Sequence, residues 1–303
     1  FTQVNAISEI TNLTFGIDPL YTSLFLAALT GIIVWGGLKS IASVSSKVVP
    51  FMAVVYICIT AGVLVAFREQ LPAAIALVLH DAFHPSAAAG GFLGATVAVA
   101  MRSGIARGIF SNEAGLGSAP IVAAAAKTKW AAEQGLVSMT GTFIDTIIIC
   151  TMTGLCLVVT GVYTGAANGA VMTAGALGMV FPNTAKYLLF VGLVLFAFST
   201  ILGWNYYGER CVEYLLGTRA IRPYRVVFTL IIASASFLKL ESIWALADIS
   251  NGLMAFPNLI ALVLLSPVVV QETKLYFAHL DAVEERLRGI ASARAAENAG
   301  SGD

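Results

Sequence analysis

Runs of about 20 residues pass almost without charge along most of this chain, and a run of that length is what a helix needs to cross the hydrocarbon layer of a membrane. They lie at Leu20–Leu38, Val48–Phe67, Glu133–Val162, Ala185–Tyr206, Arg225–Leu240 and Ser242–Pro267. The composition leaves little choice of solvent. The chain is 58% hydrophobic and 11% charged, with mean hydropathy +0.86, whereas a soluble domain carries about 25% charged residues. A soluble chain of 303 residues could not hide that much apolar surface, so the reading is an all-α integral membrane protein.

Leu71–Gly108 is apolar but interrupted by His84-Pro85 and by Gly90, Gly91 and Gly94. This pattern predicts one broken span: an outer interfacial helix, an unwound patch, then a helix reaching Met101. Phe1–Ile10 reads as the outer end of a further span; the first residue is not Met and no cleavable signal peptide is visible, so a longer protein is expected. If the spans alternate sides, 14 of the 17 basic residues fall on one face, leaving Arg68, Lys186 and Lys239 on the other. The positive-inside rule makes the richer face cytoplasmic. Thr164–Asn183 then becomes an extracellular loop with room for a short re-entrant or lid-like helix. Residues 1–270 read as the transmembrane domain and 271–303 as a cytoplasmic amphipathic tail, its last residues AAENAGSGD disordered.

Asp145 is the residue most in need of explanation, because a carboxylate within a span is expensive unless it is paired or belongs to an ion or substrate path. Thr142, Thr146, Thr151 and Thr153 lie near it at helical spacing, and oxygen ligands suit a hard cation such as sodium. A structural partner for the acid is the competing reading. In FAFSTILGWNYYGER, Thr200 and Trp204 share a helix face beside Ser199; hydroxyls can bind a cation and an indole can floor a small pocket. Hydroxyls that bond back to the preceding helical turn, with Trp as an interfacial anchor, are the ordinary alternative. The patch AAAGGFLGAT can be unwound backbone lining a cavity or a close helix contact.

His80 and His84 have the spacing of a helical metal pair, but HDAFH puts Asp where zinc proteases have Glu, so two interfacial histidines are the better reading. Cys58, Cys150, Cys156 and Cys211 form no CxxC pair and read as small core residues. There is no nucleophile elbow, Walker loop or GxGxxG opening a helix, and no basic arm to suggest a nucleic-acid partner.

FTQVNAIS, GGLKSIASVSSKVVPFMAVVY, AFHPSAAAGGFLGATVAVAMRSGIARGIFSNEAGLGSAP, QGLVSMTGTFIDTIIICTMTG and FAFSTILGWNYYGERC follow one another as far as Cys211. Read in that order they resemble the sodium:alanine/glycine symporter family of the amino-acid/polyamine/organocation superfamily. The resemblance implies two inverted five-helix repeats, with this chain entering near the end of the third helix and the first two helices and most of the third absent. It implies that Gln3 and Asn5 line a substrate pocket, that Gly90, Gly91 and Phe92 are the unwound part of the sixth helix, and that Asp145 and Thr146 sit on the seventh as ion-site residues. Ser199 and Thr200 become sodium ligands on the eighth helix, and Trp204 limits side-chain size. CTMTG after Asp145 is a minor departure from the family pattern.

The expected function is sodium-coupled uptake of alanine, glycine or a similar small amino acid in a bacterial-type inner membrane, with no cofactor beyond the coupling ion. A passive channel would need a continuous polar stripe, and these spans carry isolated polar residues. A membrane-embedded enzyme would need a nucleophile–base pair, and His80 and His84 have no serine or cysteine partner at suggestive spacing.

Overall fold

The computed structural model describes residues 1–83, 97–165, 169–237 and 240–300. Among these every regular element is helical. Helix α1 (Thr2–Phe15) ends at Gly16, whose N–H donates to the Asn12 carbonyl at 2.8 Å. Helix α2 (Pro19–Trp35) starts where the Asp18 carboxylate accepts the Leu20 N–H at 2.8 Å and Pro19 fills a position that has no helical N–H partner to lose. Helix α3 (Gly37–Ala66) carries Pro50 in its interior. Helices α4 (Leu71–Phe83) and α5 (Val97–Asn112) flank 84–96, and α6 (Ala119–Ala123) is a single short turn.

Helix α7 (Ala131–Thr160) is continuous but changes to π-helical winding over Phe143–Cys150. Helix α8 (Gly169–Gly178) fills part of the expected extracellular loop, and α9 (Ala185–Leu216) is followed by α10 (Ile221–Ala233). Helix α11 (Leu240–Gly300) runs through Pro257 and Pro267. Helix α3, helix α7, helix α9 and Ser242–Ala291 within α11 are each long and apolar enough to cross a membrane.

Two boundaries differ from the sequence reading. The turn between α2 and α3 sits at Gly36–Gly37, so Lys39 and Lys47 belong to the first turns of a helix and not to a connecting loop. The span placed at Arg225–Leu240 is helical over Ile221–Ala233, with a single 3₁₀ turn at Ala235–Phe237. Helix α11 continues from the span through the expected tail helix as far as Gly300. Prolines inside helices survive because each removes only one backbone hydrogen bond, which neighbouring groups in a membrane bundle can offset.

The largest core lies where α1 and α2 meet α9 and α10. Val4 and Ile7 of α1, Leu26 and Val34 of α2, and Ile201 and Leu202 of α9 are buried there, with Ile232 of α10. A second core joins Ile10 of α1 and Val63 of α3 to Cys156 of α7 and Leu189 of α9. The outward faces remain apolar: Leu253, Phe256, Val263 and Leu264 of α11 are each more than 70% exposed, as expected of side chains whose solvent is lipid.

One ion pair clamps this core at the end of α9. Glu209, 2% exposed, accepts from Arg225 Nε at 2.7 Å and from its terminal nitrogen at 2.9 Å, while Arg225 also reaches the Trp35 carbonyl at 3.4 Å. Arg210 adds a third charge-assisted bond to Glu209 at 3.0 Å. Helix α10 comes close enough for this because residue 208 is glycine; a Cβ there would lie 2.1 Å from the Tyr224 hydroxyl. Removing one partner of a buried pair leaves the other charge uncompensated. Glu209→Gln is therefore expected to cost about 3–5 kcal/mol of stability, read as thermal unfolding in detergent. The double change Glu209→Leu with Arg225→Met is expected to recover most of that loss; equal losses in both variants would contradict the clamp.

Candidate functional site

Asp145 lies in the first turn of the π-helical segment of α7. A π segment widens the helix by one residue per turn and displaces side chains from the α-helical register, and such segments are frequent at functional positions. The side chain is partnered from the end of α5. Ser111 Oγ donates to the Asp145 carboxylate at 2.6 Å, and Thr146 Oγ1 donates to the same oxygen at 3.3 Å while accepting from Asn112 Nδ2 at 3.2 Å. Among the described residues the carboxylate is thus held by two hydroxyls and by no cation. The other threonines face elsewhere. Thr153 meets the Tyr56 hydroxyl of α3 at 2.8 Å, and Thr151 bonds back to the Thr146 carbonyl at 3.4 Å.

Ser199 and Thr200 occupy the middle of α9. Both hydroxyls donate to the Phe196 carbonyl at 2.9 Å, the back-bonding that the plain structural reading predicts. Ser199 Oγ also lies 3.6 Å from Met52 Sδ of α3. Back-bonding uses the proton and leaves the hydroxyl lone pairs available to a cation, so this geometry is compatible with either role. Trp204, one turn further on, packs its ring against Tyr207 with centroids 5.6 Å apart at 73°. Gln3 and Asn5 are half-buried on α1, the helix seated against α9. Helix packing therefore gathers Gln3, Asn5, Ser199, Thr200 and Trp204 onto two adjoining helices. Asp145 and Thr146 belong to a different set of hydrogen bonds, the one formed by α7 and the end of α5.

Gly90, Gly91 and Phe92, with the rest of the glycine patch, lie outside the described residues, as does His84. His80 meets Asp81 at 3.1 Å.

The turn that follows α5 contributes side chains to which the sequence reading gave no role. Glu113 has a left-handed backbone, φ 56°, the one such non-glycine position among the described residues. Its N–H still closes the last turn of α5 on the Ile109 carbonyl at 2.9 Å. Its carboxylate accepts from Ser118 Oγ at 2.6 Å. Burial pushes the Glu113 carboxyl above its ordinary value, and the Ser118 hydrogen bond opposes that rise. The signal available in the sequence was the polar NEAGLGS stretch between two apolar segments, which marks a turn but names no partner.

Comparison with known proteins follows the same stretch of chain. The sodium:alanine symporter family matches residues 1–288. A Haemophilus influenzae protein described as an uncharacterized transporter is 51% identical over 282 residues, covering 92% of this chain and 62% of its own length. The sodium/alanine symporter AgcS of Methanococcus maripaludis is 46% identical over 278 residues, 90% of this chain and 60% of AgcS. The probable sodium/glutamine symporter GlnT of Bacillus subtilis is 38% identical over 276 residues, 90% of this chain and 57% of GlnT. The chain thus spans about 60% of the length of the relatives it matches.

The turn itself is testable. Gly117 has φ 81°, and a Cβ there would lie 2.9 Å from Asn258 Oδ1 of α11, whose amide nitrogen donates to the Gly115 carbonyl at 3.0 Å. Gly117→Ala is expected to cost roughly 1–2 kcal/mol for the left-handed backbone alone, with displacement of Asn258 added. Thermal unfolding in detergent measures it, and an Asn258→Ala background is expected to lessen the loss by removing the obstructing side chain.

Proposed function

Because the chain belongs to the sodium:alanine symporter family, a family of carriers and not of enzymes, we propose that its protein takes up a small neutral amino acid, alanine or glycine, driven by sodium. The family match over residues 1–288 carries this reading. The relatives named for alanine and for glutamine keep the substrate among neutral amino acids, and a large aromatic side chain in the pocket favours the smaller one. The protein is a multi-pass membrane protein; its place in a bacterial-type inner membrane and the cytoplasmic side of its C-terminus belong to the proposal, supported by the one-sided distribution of Lys and Arg.

In this reading Ser199 and Thr200 supply hydroxyl oxygens to sodium. Their protons are committed to the Phe196 carbonyl, so the oxygens present lone pairs to the cation. Gln3 and Asn5 offer amide groups to the substrate from the adjoining helix, and Trp204 closes the side-chain end of the pocket. Asp145 and Thr146, bonded to the end of α5, form a second polar centre that changes partners as α5 moves against α7. One charge falling through a membrane potential releases about 2.3 kcal/mol per 100 mV. That energy drives substrate uphill only if ion and substrate favour the same conformations.

The reading is tested with the full-length protein in proteoliposomes, where labelled alanine uptake is expected to follow an inward sodium gradient. Uptake indifferent to sodium would overturn it. Asp145→Asn keeps the shape and removes the charge. It is expected to lower the rate and weaken the sodium dependence, and an unchanged profile would exclude a coupling role for that charge. Thr200→Val is expected to weaken sodium activation and leave the ranking of competing amino acids intact. Trp204→Ala is expected to admit valine and leucine as competitors. Loss of the ring from core packing alone would cost about 3–5 kcal/mol, so transport is normalised to folded protein in the membrane.

A further inference from the structure

A groove that the transport reading does not use lies between α6, the first turns of α7 and the stretch of α11 beyond Pro267. Its volume is about 870 Å³. Ala123 of α6 and Ala132, Gly135 and Met139 of α7 face Val268 and Phe277 of α11 across it. We propose that this groove binds an anionic phospholipid, with an acyl chain lying along it and the phosphate held by Lys127, Lys129 and Lys274. Which solute the protein carries has no bearing on this site.

The walls of the groove satisfy their own polar groups. Gln134 Nε2 donates to Ser138 Oγ at 3.2 Å, and Thr273 Oγ1 donates to the Val269 carbonyl at 2.7 Å. Thr128 Oγ1 donates to the Glu133 carboxylate and lies 3.3 Å from the Trp130 carbonyl. Walls of this kind offer water few partners, so an apolar occupant gains more there than a polar one.

The depth is right for a lipid. The sequence places one end of a span at Glu133 and one end of another at Pro267, so the groove straddles the border between hydrocarbon and headgroups. Trp130 stacks on His279 with centroids 5.0 Å apart at 29°, and meets Tyr276 at 6.0 Å. Trp and Tyr gather at that border in membrane proteins.

Charge selects the kind of lipid. Thr128 lines the groove between Lys127 and Lys129, and Lys274 follows the lining residue Thr273. All three lysines are exposed, and among the described residues none of them makes an ion pair. Glu133 and Glu272 are the acids of the same segments. Glu133 is bonded to Thr128 and sits in the first turn of α7, where the helix dipole offsets a negative charge. The balance is positive and suits a phosphodiester that carries no ammonium of its own. Basic pockets between spans are recurring sites for anionic headgroups.

The experiment mixes the full-length protein, purified in detergent, with phosphatidylglycerol or with phosphatidylcholine of the same acyl chains. Native mass spectrometry counts what stays bound, and phosphatidylglycerol is expected to bind at least tenfold more tightly. The triple change Lys127→Gln, Lys129→Gln and Lys274→Gln is expected to remove that preference, each lysine contributing roughly fivefold. Gly135→Phe fills the groove without a clash, since a Cβ at residue 135 meets nothing within 4 Å. It is expected to weaken binding of both lipids at least fivefold. In proteoliposomes, phosphatidylglycerol with a diazirine in its acyl chain is expected to leave adducts on residues 131–139 and 268–277 after irradiation.

Equal binding of the two lipids by the parent would overturn the proposal, and so would an undiminished preference in the lysine variant. Parental binding by a folded Gly135→Phe protein would take the acyl chain out of the groove and overturn it as well. Adducts confined to other segments would do the same, the groove then being covered by the rest of the full-length chain or by a second copy. If Gly135→Phe does not fold, the lysine variant and the adducts decide.

Discussion

Apolar side chains of α1 and α9 interlock along Val4, Ile7, Ala197, Ile201 and Leu202, and α9 also carries Ser199, Thr200, Trp204, Tyr207 and Glu209. The register of that seam therefore positions every polar group of α9 together. In hydrocarbon there is no hydrophobic drive to bring helices together, so close packing and internal polar contacts must do so. The seam supplies the first. The Glu209–Arg225 pair supplies the second at one end, joining α9 to α10 and, through the Trp35 carbonyl, to α2.

Polar groups in this chain are arranged by how much it costs to leave them unmet. Ser199 and Thr200 satisfy their protons within their own helix and retain their lone pairs, a low-cost arrangement for a hydroxyl within a span. Asp145 has no such local solution. It draws Ser111 from another helix and Thr146 from beside it, and the π-helical winding of α7 brings these groups together. A group that depends on partners from two helices is sensitive to how they pack.

The turn after α5 shows how little chain is needed to join distant elements. Within Ser111–Ser118 one end of the turn bonds to α7 through Ser111 and Asn112, and the Gly115 carbonyl accepts from Asn258 of α11. Its glycines and the left-handed Glu113 reverse the chain tightly enough for both attachments to come from eight consecutive residues. The backbone strain at Glu113 is offset by contacts that no single helix could make.

Hydropathy and charge were sufficient to read the class, because lipid accepts only backbone that satisfies its own hydrogen bonds, and apolar windows report this residue by residue. Asp145, Ser199, Thr200 and Trp204 were legible for the same reason: a polar or bulky group inside such a window stands out locally. Partners were not legible. Ser111 and Asp145 are 34 positions apart, Glu209 and Arg225 are 16 apart across a turn, and neither periodicity nor composition records which side chains meet. The π-helical register of α7 and the turn at Gly36–Gly37 likewise are not recorded in local propensity. Sequence alone determined what must leave water and which groups resist leaving it; only the tertiary structure decided which groups meet, because each resisting group is satisfied by whatever the packed helices bring within hydrogen-bond reach.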